Sequence, residues 1–350
     1  MRTVEWDGRC GELRLIDQRL LPSELKIISL SDYNQVADAI RDMVVRGAPA
    51  IGATGAFGLA LAAQRSSAKT VEGMKVELEE AARLLRGSRP TAINLGWALD
   101  RVMEAAGQSE SNCDDLRIAV INAAQKIADE DVTINRRMAE YGAVLIDDGD
   151  TILHHCNTGA LATVDWGTAL GVIRMAHEQG KRIHVLVDET RPCLQGARLT
   201  AWELQRYHIP FDIIADGAAG FFLRSGQVQK VFFGGDRMAA NGDVANKIGT
   251  YMLALAANDN SVPAYAVVPT STIDLLLAHG GLIPIEERDP DEVLNIQLGG
   301  RPVVPTGATA INPAFDVTPH YLLSAIVTEN GIVYPPFDEN LASALSRLKI

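Results

Sequence analysis

The sequence predicts an α/β protein in two parts. A small, mainly helical N-terminal domain covers residues 1–142, and a C-terminal domain covers 143–350, built on a parallel sheet flanked by helices. Three observations predict this. The chain has 350 residues, long for one domain and typical of two. Up to about residue 145, apolar residues recur at three- and four-residue spacing, the period of amphipathic helices. Beyond it, short β-branched runs alternate with helical runs, as in a sheet wrapped by helices.

Taken in order, residues up to about 30 read as short strands and turns, and helices follow at 32–45, 49–64, 70–86, 93–107 and 114–142. In the second part, strands read at 151–156, 182–188, 212–216, 230–235 and 264–268. Helices separate most of them, at 163–179, 197–207, 218–224 and 243–258. Ala48 to Ala63 is the most apolar stretch. It is broken by glycines and falls short of the roughly 20 residues a membrane span needs, so it reads as a buried helix.

Composition narrows the function. With 47% hydrophobic and 22% charged residues, the chain can build a large core and is not intrinsically disordered. Its 32 basic against 44 acidic residues leave a formal charge of −12 and no global attraction to nucleic acid or an anionic membrane. The four cysteines, Cys10, Cys113, Cys156 and Cys193, form no C-x-x-C pair and no disulfide scaffold. With no apolar signal core at Met1–Asp7, they indicate a reducing, cytoplasmic setting. Cys10, Cys113 and Cys193 read as structural.

Polar and nucleophilic residues stand where the predicted strands end: Cys156, Asp188-Glu189, Asp216, Asp236 and Thr270-Ser271. Ligands of open parallel sheets bind beyond the carboxyl ends of the strands. Four segments add detail. In Arg46-Gly47-Ala48-Pro49, proline suits a first helical turn, glycine permits close approach, and a helix N-terminus beside an arginine suits phosphate. Gly52, Gly55 and Gly58 read as packing glycines. In His154-His155-Cys156-Asn157-Thr158-Gly159, strand alternation separates the three soft ligands, so metal binding is not expected. Cys156 instead suits an acid, base or nucleophile.

The third segment, Asp188 to Arg198, packs carboxylates, arginines and Gln195 into one strand-to-helix loop, where Arg191 or Glu189 is expected to form internal ion pairs. In the fourth, Phe233 to Thr250, Asp236 follows two glycines at a tight turn, where shielding raises a carboxylate's pKa. Asn246 and Lys247 are read as opening the next helix. Arg46, Arg89, Arg191, Arg198 and Lys247 supply a local basic set, so residues alone indicate a small phosphorylated substrate and acid–base chemistry.

Together with Asp17-Gln18-Arg19-Leu20-Leu21-Pro22, Ile283-Pro284-Ile285-Glu286-Glu287-Arg288 and Asn312-Pro313-Ala314-Phe315-Asp316, these segments resemble the methylthioribose-1-phosphate isomerase family of methionine salvage. The same superfamily holds the regulatory subunits of initiation factor 2B. The resemblance implies a Rossmann-like C-terminal domain without a nucleotide, a homodimer, and no cofactor or metal. It implies Cys156 and Asp236 as catalytic residues, and Arg46, Gly47, Ala48, Arg89, Gln195, Asn246 and Lys247 as substrate-binding residues. Gly235 departs from the family, which more often has alanine there. The competing readings are a sister isomerase for 5-deoxyribose 1-phosphate or ribose 1,5-bisphosphate, a regulatory scaffold, and a metal-dependent hydrolase.

Overall fold

A computed structural model describes residues 2–108 and 112–346. The chain divides into two compact units, one formed by Met1–Arg136 and Thr158–Gly171, the other by Arg137–Asn157 and Val172–Ile350.

The first unit opens with three antiparallel strands, β1 (Val4–Asp7), β2 (Glu12–Ile16) and β3 (Ile27–Leu30). Five helices follow: α1 (Tyr33–Arg41), α2 (Ala48–Arg65), α3 (Val71–Ser88), α4 (Ile93–Gly107) and α5 (Cys113–Ala143), whose last residues belong to the second unit. Asp32 and Thr70 cap α1 and α3 by accepting backbone N–H bonds, which fixes where those helices start. Helix α2 is buried at every position from Ala50 to Ala63, so it is the core element its composition suggests. Its glycines do the packing. A Cβ at Gly52 would lie 2.9 Å from the Asn94 carbonyl, and one at Gly55 would lie 2.3 Å from a Leu95 methyl. Phe57 stacks on Trp6 at 5.6 Å beneath the small sheet. Residues 158–171 return to this unit, held by Thr3 Oγ1 to the Ala160 carbonyl and Gln18 Nε2 to the Leu161 carbonyl, both at 2.7 Å.

The second unit is built on a seven-stranded sheet. Its strands are β4 (Thr151–His154), β5 (His184–Asp188), β6 (Phe211–Ile214), β7 (Lys230–Phe233), β10 (Ala264–Val267), β15 (Ala325–Thr328) and β16 (Gly331–Val333). The order is β16-β15-β10-β7-β4-β5-β6, parallel throughout except for the β15–β16 hairpin. The five strands expected between 151 and 268 are all present. Their inner members are nearly continuous apolar runs because both faces are covered.

The covering helices are α6 (Ala169–Glu178), α7 (Ala201–Tyr207), α8 (Ala219–Arg224) and α9 (Thr250–Asp259), with α11 (Phe337–Ser346) last. A second sheet has the order β11-β8-β9-β14, from β8 (Arg237–Ala239), β9 (Val244–Lys247), β11 (Ile273–Asp274) and β14 (Phe315–Thr318). A short helix α10 (Asp291–Leu294) and the hairpin β12 (Gln297–Leu298) and β13 (Arg301–Pro302) lie between β11 and β14.

Two expectations are corrected here. The helix read at 243–258 begins only at Thr250. Asn246 and Lys247 therefore close strand β9 rather than open a helix, because β14 supplies Asp316 and Phe315 as their pairing partners. The helix read from 163 begins at Ala169, since 160–162 form a separate 3-10 turn.

Candidate active site

Strand β4 ends at His154, and Cys156 turns sharply away from it with φ 65°. An L-residue there is sterically strained, so the surroundings must hold it. They do so at both ends of the residue. The Cys156 N–H donates to Thr190 Oγ1 at 2.9 Å, and the Cys156 carbonyl accepts from Thr200 Oγ1 at 2.6 Å. Thr190 lies in the loop after β5, itself at φ 64°. Both oxygens of Asp216, just past β6, bind that loop by accepting from the N–H groups of Thr190 and Arg191 at 2.7 and 2.8 Å. Thr200 closes a π-helical turn, Gly196–Thr200, that leads into α7. Only glycine fits at 196, because a Cβ there would lie 1.7 Å from the Asp188 carbonyl.

His155 sits beside this centre and ties three segments together. Its Nδ1 lies 2.8 Å from Asp188 Oδ2 and its Nε2 lies 2.9 Å from the Ile248 carbonyl. With Asp188 ionised both partners are acceptors, and the ring then satisfies them only when doubly protonated. Burial opposes the charge, but the Asp188 hydrogen bond and its negative charge outweigh burial and raise the His155 pKa. His154 is the opposite case. Burial pushes its pKa down to about 3, and Nδ1 of the neutral ring bonds the Phe232 carbonyl at 2.9 Å.

Donor atoms of His155, Asp188 and Asp216 all lie within 4.8 Å of one another, which is close enough for a metal ion. The hydrogen bonds just described already occupy both His155 nitrogens, both Asp216 oxygens and one Asp188 oxygen, so the donor set is poorly suited to a cation.

Asp236 stands between β7 and β8. Its N–H donates to the Ala245 carbonyl at 2.8 Å, which sets it across the β8–β9 hairpin from Asn246. Asn246 is buried and donates to Thr250 Oγ1 at 3.0 Å. The Lys247 ammonium lies 4.9 Å above the Phe315 ring. Gln195, in the loop before the π turn, is buried, and its Oε1 has no hydrogen-bond partner among the described residues. A buried acceptor left open in this way suits a ligand donor.

In the first unit, Arg46, Gly47 and Ala48 form the start of α2. Gly47 caps it at φ 92°, and proline occupies the first turn. The close approach that Gly47 allows is to its own chain, since a Cβ there would lie 2.4 Å from the Ala162 carbonyl oxygen. Arg89 caps the end of α3.

Other expectations are revised. Arg191 holds its loop through the carbonyls of Pro192 and Val293, both at 3.0 Å, and among the described residues it forms no ion pair. Cys193 is partly buried, and burial followed by the Glu292 charge raises its thiol pKa, which fits an inert role. Cys10 is exposed. Thr190 and Thr200 carry no sequence signal of their contacts with Cys156, which lies 34 and 44 residues away from them.

Residues 44–335 match the initiation factor 2 subunit family. The chain is 52% identical over 351 residues to methylthioribose-1-phosphate isomerase of Pelotomaculum thermopropionicum, covering 99% of this chain and 94% of that one. It is 50% identical to the enzyme of the same name from a Synechococcus species, covering 98% of each chain. The crystal structure of 5-methylthioribose 1-phosphate isomerase from Pyrococcus horikoshii is similar at TM-score 0.91 and 48% identity, covering 99% and 96% of the two chains. A structure described as translation initiation factor eIF-2B, subunit delta, from A. fulgidus is similar at TM-score 0.88 and 42% identity, covering 99% of both.

Proposed function

The chain belongs to the initiation factor 2 subunit family, and from that premise we propose that it is an aldose–ketose isomerase. It converts 5-methylthioribose 1-phosphate to 5-methylthioribulose 1-phosphate in methionine salvage. The observation that carries the activity is half identity, along nearly the whole chain, to isomerases of that name.

Cys156 and Asp236 are the catalytic pair of this proposal. The anomeric oxygen carries phosphate, so the ring cannot open through a free hemiacetal. Asp236 gives a proton to the ring oxygen as its bond to C1 breaks. The Cys156 thiolate takes the proton from C2, and that electron pair forms the C1–C2 double bond of an enol. Cys156 returns the proton to C1, and the C2 hydroxyl gives its own to Asp236, leaving a ketone and both groups restored. The rearrangement is redox-neutral overall and calls for no nicotinamide. Gln195, Asn246 and Lys247 bind substrate in the second unit, supported by the open acceptor of Gln195 and the Lys247 ammonium. Arg46, Gly47, Ala48 and Arg89 are the substrate-binding residues of the first unit.

The protein acts in the cytoplasm as a homodimer, without nucleic acid. Among the described residues no helix is long and apolar enough to cross a membrane. Phe221 on α8 and Met252 on α9, 67% and 65% exposed, supply apolar surface for self-association.

The test incubates the protein with 5-methylthioribose 1-phosphate and EDTA in D₂O and follows ketose formation by NMR. Turnover is expected, and Cys156→Ala and Asp236→Asn each abolish it. Deuterium at C1 marks the enol route, and a direct hydride shift from C2 is the rival. The A. fulgidus likeness favours a second reading, a non-enzymatic regulatory scaffold. A folded protein inert towards this substrate and towards 5-deoxyribose 1-phosphate would move weight to that reading instead.

A further inference from the structure

We propose that Thr190 and Thr200 are positioning residues of the isomerase, together fixing the peptide of Cys156 in its left-handed conformation and so setting the direction of the thiol. The proposal rests on the reading of Cys156 as catalytic.

The hydrogen-bond inventory of the two hydroxyls carries the inference. A threonine hydroxyl has one proton to give. Thr190 gives its proton to the Asp188 carbonyl at 3.0 Å, so a lone pair faces the Cys156 N–H at 2.9 Å. Thr200 gives its proton to the Cys156 carbonyl at 2.6 Å, and its lone pair accepts from Asn157 Nδ2 at 3.2 Å. Neither hydroxyl is left to rotate, and neither side chain is exposed at all. The supports are locked in turn. Asp216 holds Thr190 through two backbone amides, and Glu203 Oε1 accepts from Asn157 Nδ2 at 2.8 Å.

Simple packing does not require this arrangement. Valine has the shape of threonine and would fill either site, whereas only a hydroxyl bonds the Cys156 peptide. The strain at Cys156 gives the bonds a purpose, since a left-handed L-residue relaxes unless its surroundings over-determine it. The π turn brings Thr200 to Cys156 from the same segment that begins beside Gln195, so one loop serves both the proposed base and a substrate contact.

The experiment measures kcat and KM for Thr190→Val, Thr200→Val and the matching serine variants, with Cys156→Ala as control. Each valine variant is expected to lose about tenfold in kcat with KM within about twofold, the effect of one or two hydrogen bonds on geometry rather than on binding. Each serine variant keeps the hydroxyl and is expected within about threefold of wild type. Wild-type kcat in both valine variants, or a loss carried by KM, overturns the proposal while leaving the catalytic reading intact if Cys156→Ala is dead. Turnover by Cys156→Ala overturns that reading and the proposal with it. If the valine variants do not fold, Asp216→Asn leaves only one carbonyl oxygen for two amides. It is expected to lower kcat about threefold, and an unchanged kcat there overturns the proposal.

Discussion

Cys156 and Thr190 are joined by a 2.9 Å bond from the Cys156 N–H to the threonine hydroxyl, and both residues lie in the left-handed region, at φ 65° and 64°. Each L-residue held there costs about 1–2 kcal/mol, and glycine costs far less. The proposed catalytic position is therefore one that the fold must restrain. Comparing Cys156→Gly with Cys156→Ala isolates this strain, because both lack the thiol. The glycine variant is expected to be more stable by about 1 kcal/mol in urea unfolding, the reverse of the usual order. An alanine variant equal to or more stable than the glycine variant would show that residue 156 carries no strain.

Asp131, in the first unit, gives a pH dependence of defined sign. Burial raises its carboxyl to about 7, although the Val164 N–H, 2.7 Å from Oδ2, works the other way. Its ordinary value is 3.8, so between about pH 4 and 7 the folded chain keeps a proton that the unfolded chain has released. Stability contributed at this site is thus fully present below the lower value and declines as pH rises to the upper one. Asp131→Asn keeps an acceptor for Val164 and removes the titration. Thermal midpoints from pH 5 to 8 are expected to fall more steeply for wild type than for the variant. Parallel curves would remove Asp131 as the cause.

The sheet of the second unit was legible because its strands are buried on both faces and so stand out as short apolar runs, as in Lys230–Phe233 and Ala264–Val267. Their polar successors, Cys156 and Asp236, could be picked out for the same reason. The second sheet could not. Arg237–Ala239 is three residues long, and Val244–Lys247 runs within a few residues into α9, so its strand character depends on pairing with Phe315–Thr318 far along the chain. Residues 158–171 carry no signal of returning to the first unit, because that return rests on contacts distant in sequence: bonds to Thr3, Gln18 and Asp131, the fit of Ala162 against Gly47, and Val164 in the first unit's core. Thr190 and Thr200 were invisible for a related reason. An isolated threonine has no pattern, and its role exists only when the loop after β5 and the π turn meet the end of β4.

Gly235, beside Asp236, faces two stiff side chains. A Cβ there would lie 2.7 Å from Val244 Cγ2 and 2.8 Å from Val268 Cγ1, both in fully buried residues. Valine methyls cannot swing aside as a long side chain can, so Gly235→Ala overpacks the β7–β8 turn, and a cost of about 1–3 kcal/mol is expected. Val244→Ala opens the space. In the double variant the two changes should couple favourably by about 1 kcal/mol, read from a double-mutant cycle of unfolding free energies. Strict additivity would mean that the valines are not what the glycine accommodates.

Gln195 separates binding from stability. The residue is 7% exposed, and its Oε1 is buried with no partner among the described residues, a condition that costs about 1–3 kcal/mol in the folded protein. If that oxygen waits for a sugar hydroxyl, replacing the amide with an apolar group of similar size removes both the penalty and the contact. Gln195→Leu is therefore expected to be at least as stable as wild type in thermal melts, while KM rises about tenfold or more for the loss of a buried hydrogen bond. Gln195→Glu keeps an acceptor but places a negative charge near a phosphorylated substrate, so its KM should rise further and more steeply as ionic strength is lowered. A destabilised leucine variant with wild-type KM would instead make Gln195 a structural residue and take it out of the binding site.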